Sequence, residues 1–168
     1  MEKSEGSKKK HMRRRDRELK DFNAMMEIIK HCQVIHIAMA VDNMPYVVPV
    51  NFGYSYENEK LELYFHCAKT GKKVDILKIN PNICFEMDCD HQLIQGVSAC
   101  AYSFQYSSII GMGKAEFIED TDLKKQYLNK LMLNIAQKEF DFNDQQVADL
   151  AIVKIVVSQI SGKQRIAN

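Results

Sequence analysis

The stretch LELYFHCAKTGKKVDILKINP, residues 61–81, joins a strand pattern directly to a helix pattern. Leu61, Leu63 and Phe65 alternate with more polar residues, which is the period of a β-strand with one buried face. This alternation turns His66 away from the apolar face, so we expect its imidazole to point toward a polar surface or a cleft. Apolar residues then recur at helical spacing until the final proline, which ends the helix.

The junction between this strand and this helix has features that favour an anion. Thr70 occupies the position of a helix N-cap, and Gly71, Lys72 and Lys73 follow as the first turn. Free backbone amides and the helix dipole attract negative charge at a helix start, and the two lysines add positive charge. A phosphate site is one interpretation, and two ordinary solvated lysines are the other. The spacing alone leaves both open.

Strand patterns continue on both sides of the junction. Upstream, VIHIAMAV and PYVVPVNFGYSY flank the turn signal DNMP and predict a hairpin, preceded by a helix from about Asp16 to His31. Downstream, NICFEMDC predicts a strand, and a longer β-run is interrupted by Gly111 and Gly113. Glycine within a strand often marks a bulge or a place where a ligand or another backbone comes close, and a bend at a barrel corner without a ligand is the alternative. A helix starting at Asp120 and a final strand complete the chain.

The order of these elements predicts the fold class. Strands in short antiparallel steps with peripheral helices fit a small closed or half-closed barrel better than a parallel βαβ sheet. We therefore expect a mainly β protein with peripheral helices, of the α+β class. The sequence contains no G-x-G-x-x-G after a first strand, no P-loop and no G-x-S-x-G. A Rossmann cofactor site, an NTPase and a serine hydrolase each lose their main support.

Composition favours one globular domain. The 168 residues are 46% hydrophobic and 27% charged, with a net charge of +1, and no apolar run reaches the roughly 18 residues of a membrane span. We expect a cytoplasmic protein with no membrane partner. Residues 1–15 are predicted to be a disordered basic arm, and residues 16–168 the folded domain. Nucleic-acid binding by the arm is disfavoured, because no aromatic residue lies among its charges.

The cysteines predict neither disulfides nor a metal site. Their number, five, is odd, and no C-x-x-C pair occurs. Cys84 and Cys89 with His91 suggest a metal site at first sight. However, an offset of five residues in an extended strand puts the two thiols on opposite faces. We therefore expect reduced thiols and no metal.

Several segments together resemble one protein family. The segments are MRRRDREL (12–19), PYVVPVNFGY (45–54), LYFHCAKTGKKVDIL (63–77), NICFEMD (82–88), YSSIIGMGKAEFIED (106–120) and the closing VKIVVSQISGK. In this order they resemble the nitroimidazole-resistance branch of the pyridoxamine 5'-phosphate oxidase-like, FMN-binding split-barrel proteins. The resemblance spans nearly the whole chain after the basic arm.

The resemblance implies a homodimer of six-stranded antiparallel split β-barrels, with FMN in each of two clefts between the subunits. The residues that it implies along the flavin ring are Val48, Pro49, Val50 and Asn51. Those near the ribityl phosphate or the mouth of the active site are His66, Cys67, Lys72 and Lys73. Those on a strand lining the dimer cleft are Tyr106, Ser107, Ser108 and Ile109. The family usually has serine at the position of Cys67, and commonly tryptophan near Tyr102 or Phe104.

The implied function is a flavin-dependent oxidoreductase that reduces nitroaromatic compounds such as 5-nitroimidazoles, with His66 as a candidate proton donor. The alternative is a non-enzymatic flavin or haem binding protein that uses the same cleft. The sequence does not separate them, because the distinction depends on whether a bound flavin can be reduced and then reoxidised by a nitro compound.

Overall fold

The computed structural model describes residues 12–166, which form a mainly β structure with peripheral helices. Every strand pairing in these residues is antiparallel. The strands are β1 (Glu18–Leu19), β2 (Val34–Val41), β3 (Met44–Asn51), β4 (Gly53–Glu57), β5 (Lys60–Ala68), β6 (Asn82–Ile94), β7 (Ser103–Ile118) and β8 (Leu150–Arg165). The helices are α1 (Phe22–His31), α2 (Lys72–Ile79), α3 (Thr121–Ala136) and α4 (Asp144–Ala148).

The strands form one sheet that hydrogen bonds do not close. The order is β3-β2-β6-β7-β8-β5-β4, and β1 pairs with β8. Although β3 and β4 are the two ends of this order, Phe52 alone connects Asn51 of β3 to Gly53 of β4. The sheet must therefore curl until its two edges meet at Phe52, whose side chain is fully buried. The fold is a split barrel, and its sheet has eight strands where the resemblance implied six.

The predicted hairpin is confirmed as β2 and β3. Asp42 and Asn43 form its two-residue turn with φ of 49° and 60°, which matches the right-handed twist of the strands. Asn58 and Glu59 connect β4 and β5 in the same way, with φ of 51° and 62°. The run PYVVPVNFGYSY was predicted as one strand, and this was wrong, because the chain changes edges at Phe52.

The first helix ends at His31 as predicted, but its predicted start at Asp16 was wrong. The helix begins at Phe22, because the Asp21 carboxylate caps it by accepting a hydrogen bond from the Asn23 amide at 3.1 Å. The preceding residues form a 3₁₀ turn at Arg15–Arg17 and then strand β1. Residues 1–11, most of the predicted basic arm, lie outside the described residues.

The glycines of β7 lie beside a shift in strand pairing and at close approaches of neighbouring groups. The pairing of β7 with β8 shifts between Met112 and Gly113, where Ser158 is the extra residue, so the bulged strand is β8. A Cβ added at Gly111 would lie 2.3 Å from Cζ of the buried Phe85 ring. Only glycine therefore lets β7 approach the ring so closely.

Helices α1 and α2 bury apolar side chains in the main core, and α3 packs against β4 and β5. Helix α3 starts as predicted, with the Asp120 carboxylate accepting a hydrogen bond from the Leu123 amide at 2.8 Å. Its Tyr127 ring stacks on Tyr64 of β5 at a centroid distance of 4.2 Å. The sequence analysis missed α4, which begins with a capping box at Asn143. Among residues 12–166, no helix is long and apolar enough to cross a membrane.

Candidate functional site

A cleft of about 220 Å³ lies at the start of α2. One wall comes from β3, and the other comes from the continuous stretch that joins the end of β5 to the first turn of α2. The lining residues are Tyr46, Val48, Cys67, Ala68, Thr70, Gly71, Lys72, Lys73 and Val74. The fold therefore brings four predicted site residues together here: Val48, Cys67, Lys72 and Lys73.

The N-terminus of α2 has no side-chain cap. The prediction that Thr70 caps this helix was wrong, because Gly71 is the N-cap residue and no side chain bonds to the first amides. Gly71 has φ of 127°, which favours glycine, and a Cβ built there would have nothing within 4 Å. The first amides of α2 therefore have no side-chain cap, as a helix start that binds an anion requires.

The two lysines at this helix start contact aromatic rings. The Lys72 ammonium lies 4.4 Å from the centroid of the Tyr46 ring, and the Lys73 ammonium lies 5.6 Å from that of Phe65. Within residues 12–166, neither ammonium has a carboxylate within ion-pair distance. Because an aromatic ring holds a cation in place without neutralising it, both positive charges remain available to an anion.

These residues fit a phosphate monoester. Uncapped amides, the positive end of a helix dipole and two uncompensated ammonium groups together match the geometry and charge of a phosphate. The volume of the cleft limits what else it holds. Ligand pockets usually measure about 300 to 1,000 Å³, so a whole flavin exceeds this cleft and the remainder of the molecule would lie outside it.

The four residues implied along the flavin ring divide between the two faces of β3. Val48 lines the cleft, and Val50 packs against the core on the same face. Pro49 and Asn51 are exposed on the other face. The Asn51 amide donates a hydrogen bond to the Gln33 carbonyl at 3.0 Å, which holds the end of β3 against the chain before β2.

His66 does not line the cleft. It is exposed and, by strand alternation, lies on the face of β5 opposite to Cys67, the face that also carries Tyr64. Partial burial of the ring and then the Lys73 charge lower the pKa of the His66 imidazole. On the cleft side, burial raises the pKa of the Cys67 thiol, and the Lys73 charge opposes that shift. Cys67 is therefore not activated as a nucleophile.

The remaining predicted residues lie on β7, away from this cleft. Ile109 is fully buried in the core. Ser107 is also buried, and its hydroxyl donates to the Asp90 carboxylate at 2.9 Å and accepts from the Gln164 amide at 3.0 Å. Tyr106 and Ser108 lie on the face of β7 opposite to Ser107 and Ile109. A single chain therefore does not unite the β7 residues with Lys72 and Lys73.

A second cleft, of about 690 Å³, lies beside Tyr106 and was missed by the sequence analysis. Arg14, Arg17 and Arg165 line it, together with acidic, apolar and amide side chains. Partial burial alone would raise the pKa of the Tyr106 hydroxyl, but hydrogen bonds and charges from Arg17 and Lys163 lower it. This cleft is larger than the one at α2, but it is open and Arg14 is neutralised by Asp16. The only sequence signal for it was the arginine run before Asp16.

Comparison with known proteins identifies the family. Residues 21–164 match the family model described as pyridoxamine 5'-phosphate oxidase. The chain belongs to the pyridoxamine 5'-phosphate oxidase family. A proposed 5-nitroimidazole antibiotic resistance protein from Bacteroides thetaiotaomicron is 32% identical, with 87% of this chain and 85% of that chain covered and a TM-score of 0.75.

Other solved structures share the fold of this pyridoxamine 5'-phosphate oxidase family member at lower identity. The FAD and haem binding protein from Mycobacterium smegmatis is 17% identical, with coverage of 90% and 74% and a TM-score of 0.76. An FAD-binding protein from Mesorhizobium loti is 21% identical, with coverage of 89% and 98% and a TM-score of 0.62. A comparison with curated proteins found no match.

Proposed function

We propose that this protein is an FMN-binding oxidoreductase that reduces nitroaromatic compounds such as 5-nitroimidazoles. The observation that carries the proposal is the uncapped start of α2 with Lys72 and Lys73, within a chain that belongs to the pyridoxamine 5'-phosphate oxidase family. Its 32% identity to a proposed 5-nitroimidazole resistance protein supports the substrate class. One helix start and two lysines match the single phosphate of FMN.

In this proposal the chain binds and orients the flavin through its phosphate. The amides of the first turn of α2 and the two ammonium groups hold the phosphate, while Val48 and Tyr46 provide the apolar wall of the cleft. When bound, a flavin supplies the redox chemistry, because reduction of a nitro group needs electrons that no side chain of this cleft provides. His66 stays a predicted proton donor, a role that requires the flavin ring to reach the face of β5 opposite to this cleft. Its lowered pKa makes the imidazole mostly neutral at pH 7, so the protonated minority would supply the proton.

We further propose that the active form is a homodimer with its flavin clefts between the subunits. The small cleft at α2 leaves the flavin ring outside it, and the β7 residues implied for the site lie elsewhere on the chain. The outer face of the sheet also carries apolar side chains that are 40 to 53% exposed, which is typical of an interface. These residues are Val34, Val47, Ile110 and Met112.

The test of the proposed function starts from the purified full chain loaded with FMN. The flavin is reduced chemically without oxygen, and a 5-nitroimidazole is then added. Return of the oxidised flavin spectrum together with loss of the nitro-group absorption supports the oxidoreductase. A flavin that binds but is not reoxidised by the nitro compound identifies a flavin binding protein, and a haem spectrum in the purified protein identifies a haem binder.

A further inference from the structure

A group of potential metal ligands lies on the outer face of β2 and β6. His36 of β2 is paired with Glu86 of β6, and Asp88 follows two residues later on the same face of β6. One ligand atom from each of these three side chains lies within 4.8 Å of the other two. We call these three residues the His36 cluster.

One atom of the His36 cluster has an unusual environment. The Nδ1 atom of His36 is buried and forms no hydrogen bond within the described residues, although the Glu86 carboxylate is 3.4 Å away. A buried polar atom without a partner is costly, so such an atom usually has a missing partner such as a water or an ion. This nitrogen faces the Glu86 carboxylate, although the imidazole as a whole is partly exposed, and a cation placed between the two groups would satisfy both.

The charge of the His36 cluster also favours a cation. Within residues 12–166, no lysine or arginine forms an ion pair with Glu86 or Asp88, whose only ion-pair contacts are histidines. Nε2 of His91 contacts the Asp88 carboxylate at 2.5 Å.

We propose that His36, Glu86 and Asp88 bind one divalent transition-metal ion of the Zn²⁺ type. One imidazole nitrogen and two carboxylate oxygens suit such an ion better than Ca²⁺ or Mg²⁺, which prefer all-oxygen sites. Three protein ligands leave a coordination position open to water or a substrate. His91 is placed to orient Asp88, because its Nε2 contacts the Asp88 carboxylate. The three ligands come from a single chain, so the site does not rest on the proposed flavin. It lies on the same outer face as the proposed interface, because Glu86 is paired with Ile110.

The experiment titrates the metal-free full chain with Co²⁺, whose visible absorption reports nitrogen and oxygen ligation, and then displaces it with Zn²⁺. We expect one Co²⁺ per chain. The variants His36→Gln and Glu86→Gln should each weaken binding by at least about tenfold, and His91→Gln by about tenfold to a hundredfold if it acts through Asp88. His31→Gln is the matched control, because it removes an exposed imidazole at the end of α1 and should leave binding unchanged.

The outcomes separate this site from others. Circular dichroism of each variant checks that it folds, and Asp88→Asn provides another ligand substitution if His36→Gln does not fold. Absence of stoichiometric Co²⁺ binding to the unmodified chain would overturn the proposal. Equal affinity in the unmodified chain, His36→Gln and Glu86→Gln would also overturn it, and would move the bound metal to another histidine such as His11, which lies outside the described residues.

Discussion

The ammonium of Lys72 lies 4.4 Å from the centre of the Tyr46 ring, so a cation at the start of α2 is held against β3, the strand that follows the first hairpin turn. This contact connects the helix to the opposite wall of the cleft without neutralising the charge. The cation is thus positioned before any ligand arrives, which reduces the ordering cost of binding.

If Lys72 and Lys73 hold a phosphate, replacing both with Met will weaken FMN much more than riboflavin, which has the same ring and no phosphate. Two charge-assisted contacts of about 1.5 to 3 kcal/mol each correspond to a loss on the order of a hundredfold or more in FMN affinity. Titration of the apo-protein with both flavins measures the difference. Equal losses for both flavins would assign the lysines to the solvated surface of α2.

The matched control is the double variant Lys69→Met and Lys78→Met. Lys69 precedes α2 and Lys78 lies in its last turn, but both line a separate cleft. This variant carries the same change in net charge and should retain FMN affinity. If it lost as much affinity as the first variant, the effect would be one of overall charge, and the basic cleft at Arg17 would be the next candidate for the phosphate.

The lowered pKa of His66 predicts a pH effect on stability. Below about pH 6.5, the ordinary value, the unfolded chain takes up a proton that the folded chain resists, so this residue makes the folded state less stable as the pH falls. His66→Gln removes this contribution. Urea unfolding at about pH 7.5 and about pH 5 should show a smaller loss of stability on acidification in the variant than in the unmodified protein. A larger loss in the variant would contradict the assigned direction.

If the outer face of the sheet forms the dimer interface, a charged substitution on that face should produce a monomer. Val47 is 53% exposed on β3, and Val47→Glu places a carboxylate within the proposed apolar interface. Light scattering after size exclusion should give about twice 19.4 kDa for the unmodified chain and 19.4 kDa for the variant. The control Ile79→Glu changes another exposed apolar residue, at the end of α2, and should remain dimeric. A monomeric unmodified chain at micromolar concentration would contradict the interface itself.

Gly111→Ala should destabilise the fold by about 1 to 3 kcal/mol, because the new methyl group would overlap the Phe85 ring. Phe85→Leu replaces that ring with a smaller side chain and should relieve the overlap, although it costs stability by itself. Urea unfolding of the two single variants and of the double variant measures the coupling. The double variant should lose less free energy of unfolding than the sum of the two single losses. If the losses were strictly additive, β7 would accommodate the methyl group in another way.

The local elements of this fold could be predicted from the sequence because their signals are local. Alternation identified β5, the turn residues Asp42 and Asn43 identified the first hairpin, and Asp120 identified the start of α3. The exact start of α1 was missed because a second capping aspartate, Asp21, lies five residues after the one chosen. Phe52 carries no turn signal, so the break between β3 and β4 could not be read from the sequence.

The candidate site was predictable only in part. Lys72 and Lys73 adjoin a recognisable helix start, so their positions followed from the local pattern. The contact between Lys72 and Tyr46 depends on how α2 packs against the sheet. The His36 cluster depends on the pairing of β2 with β6, which skips three strands of the chain. No local pattern encodes that pairing, so the sequence analysis did not consider these three residues together.

The single residue between β3 and β4 also constrains the order of folding. The two strands are neighbours in the chain but opposite ends of the sheet, so their shared corner cannot form as a local hairpin. Phe52 reaches its buried position only when the intervening strands have already assembled around the core. Closure of this corner is thus a late, nonlocal event, and such topologies fold more slowly than those built from local contacts. Hydrogen exchange at the amides of Phe52 and Gly53 would therefore report completion of the whole sheet.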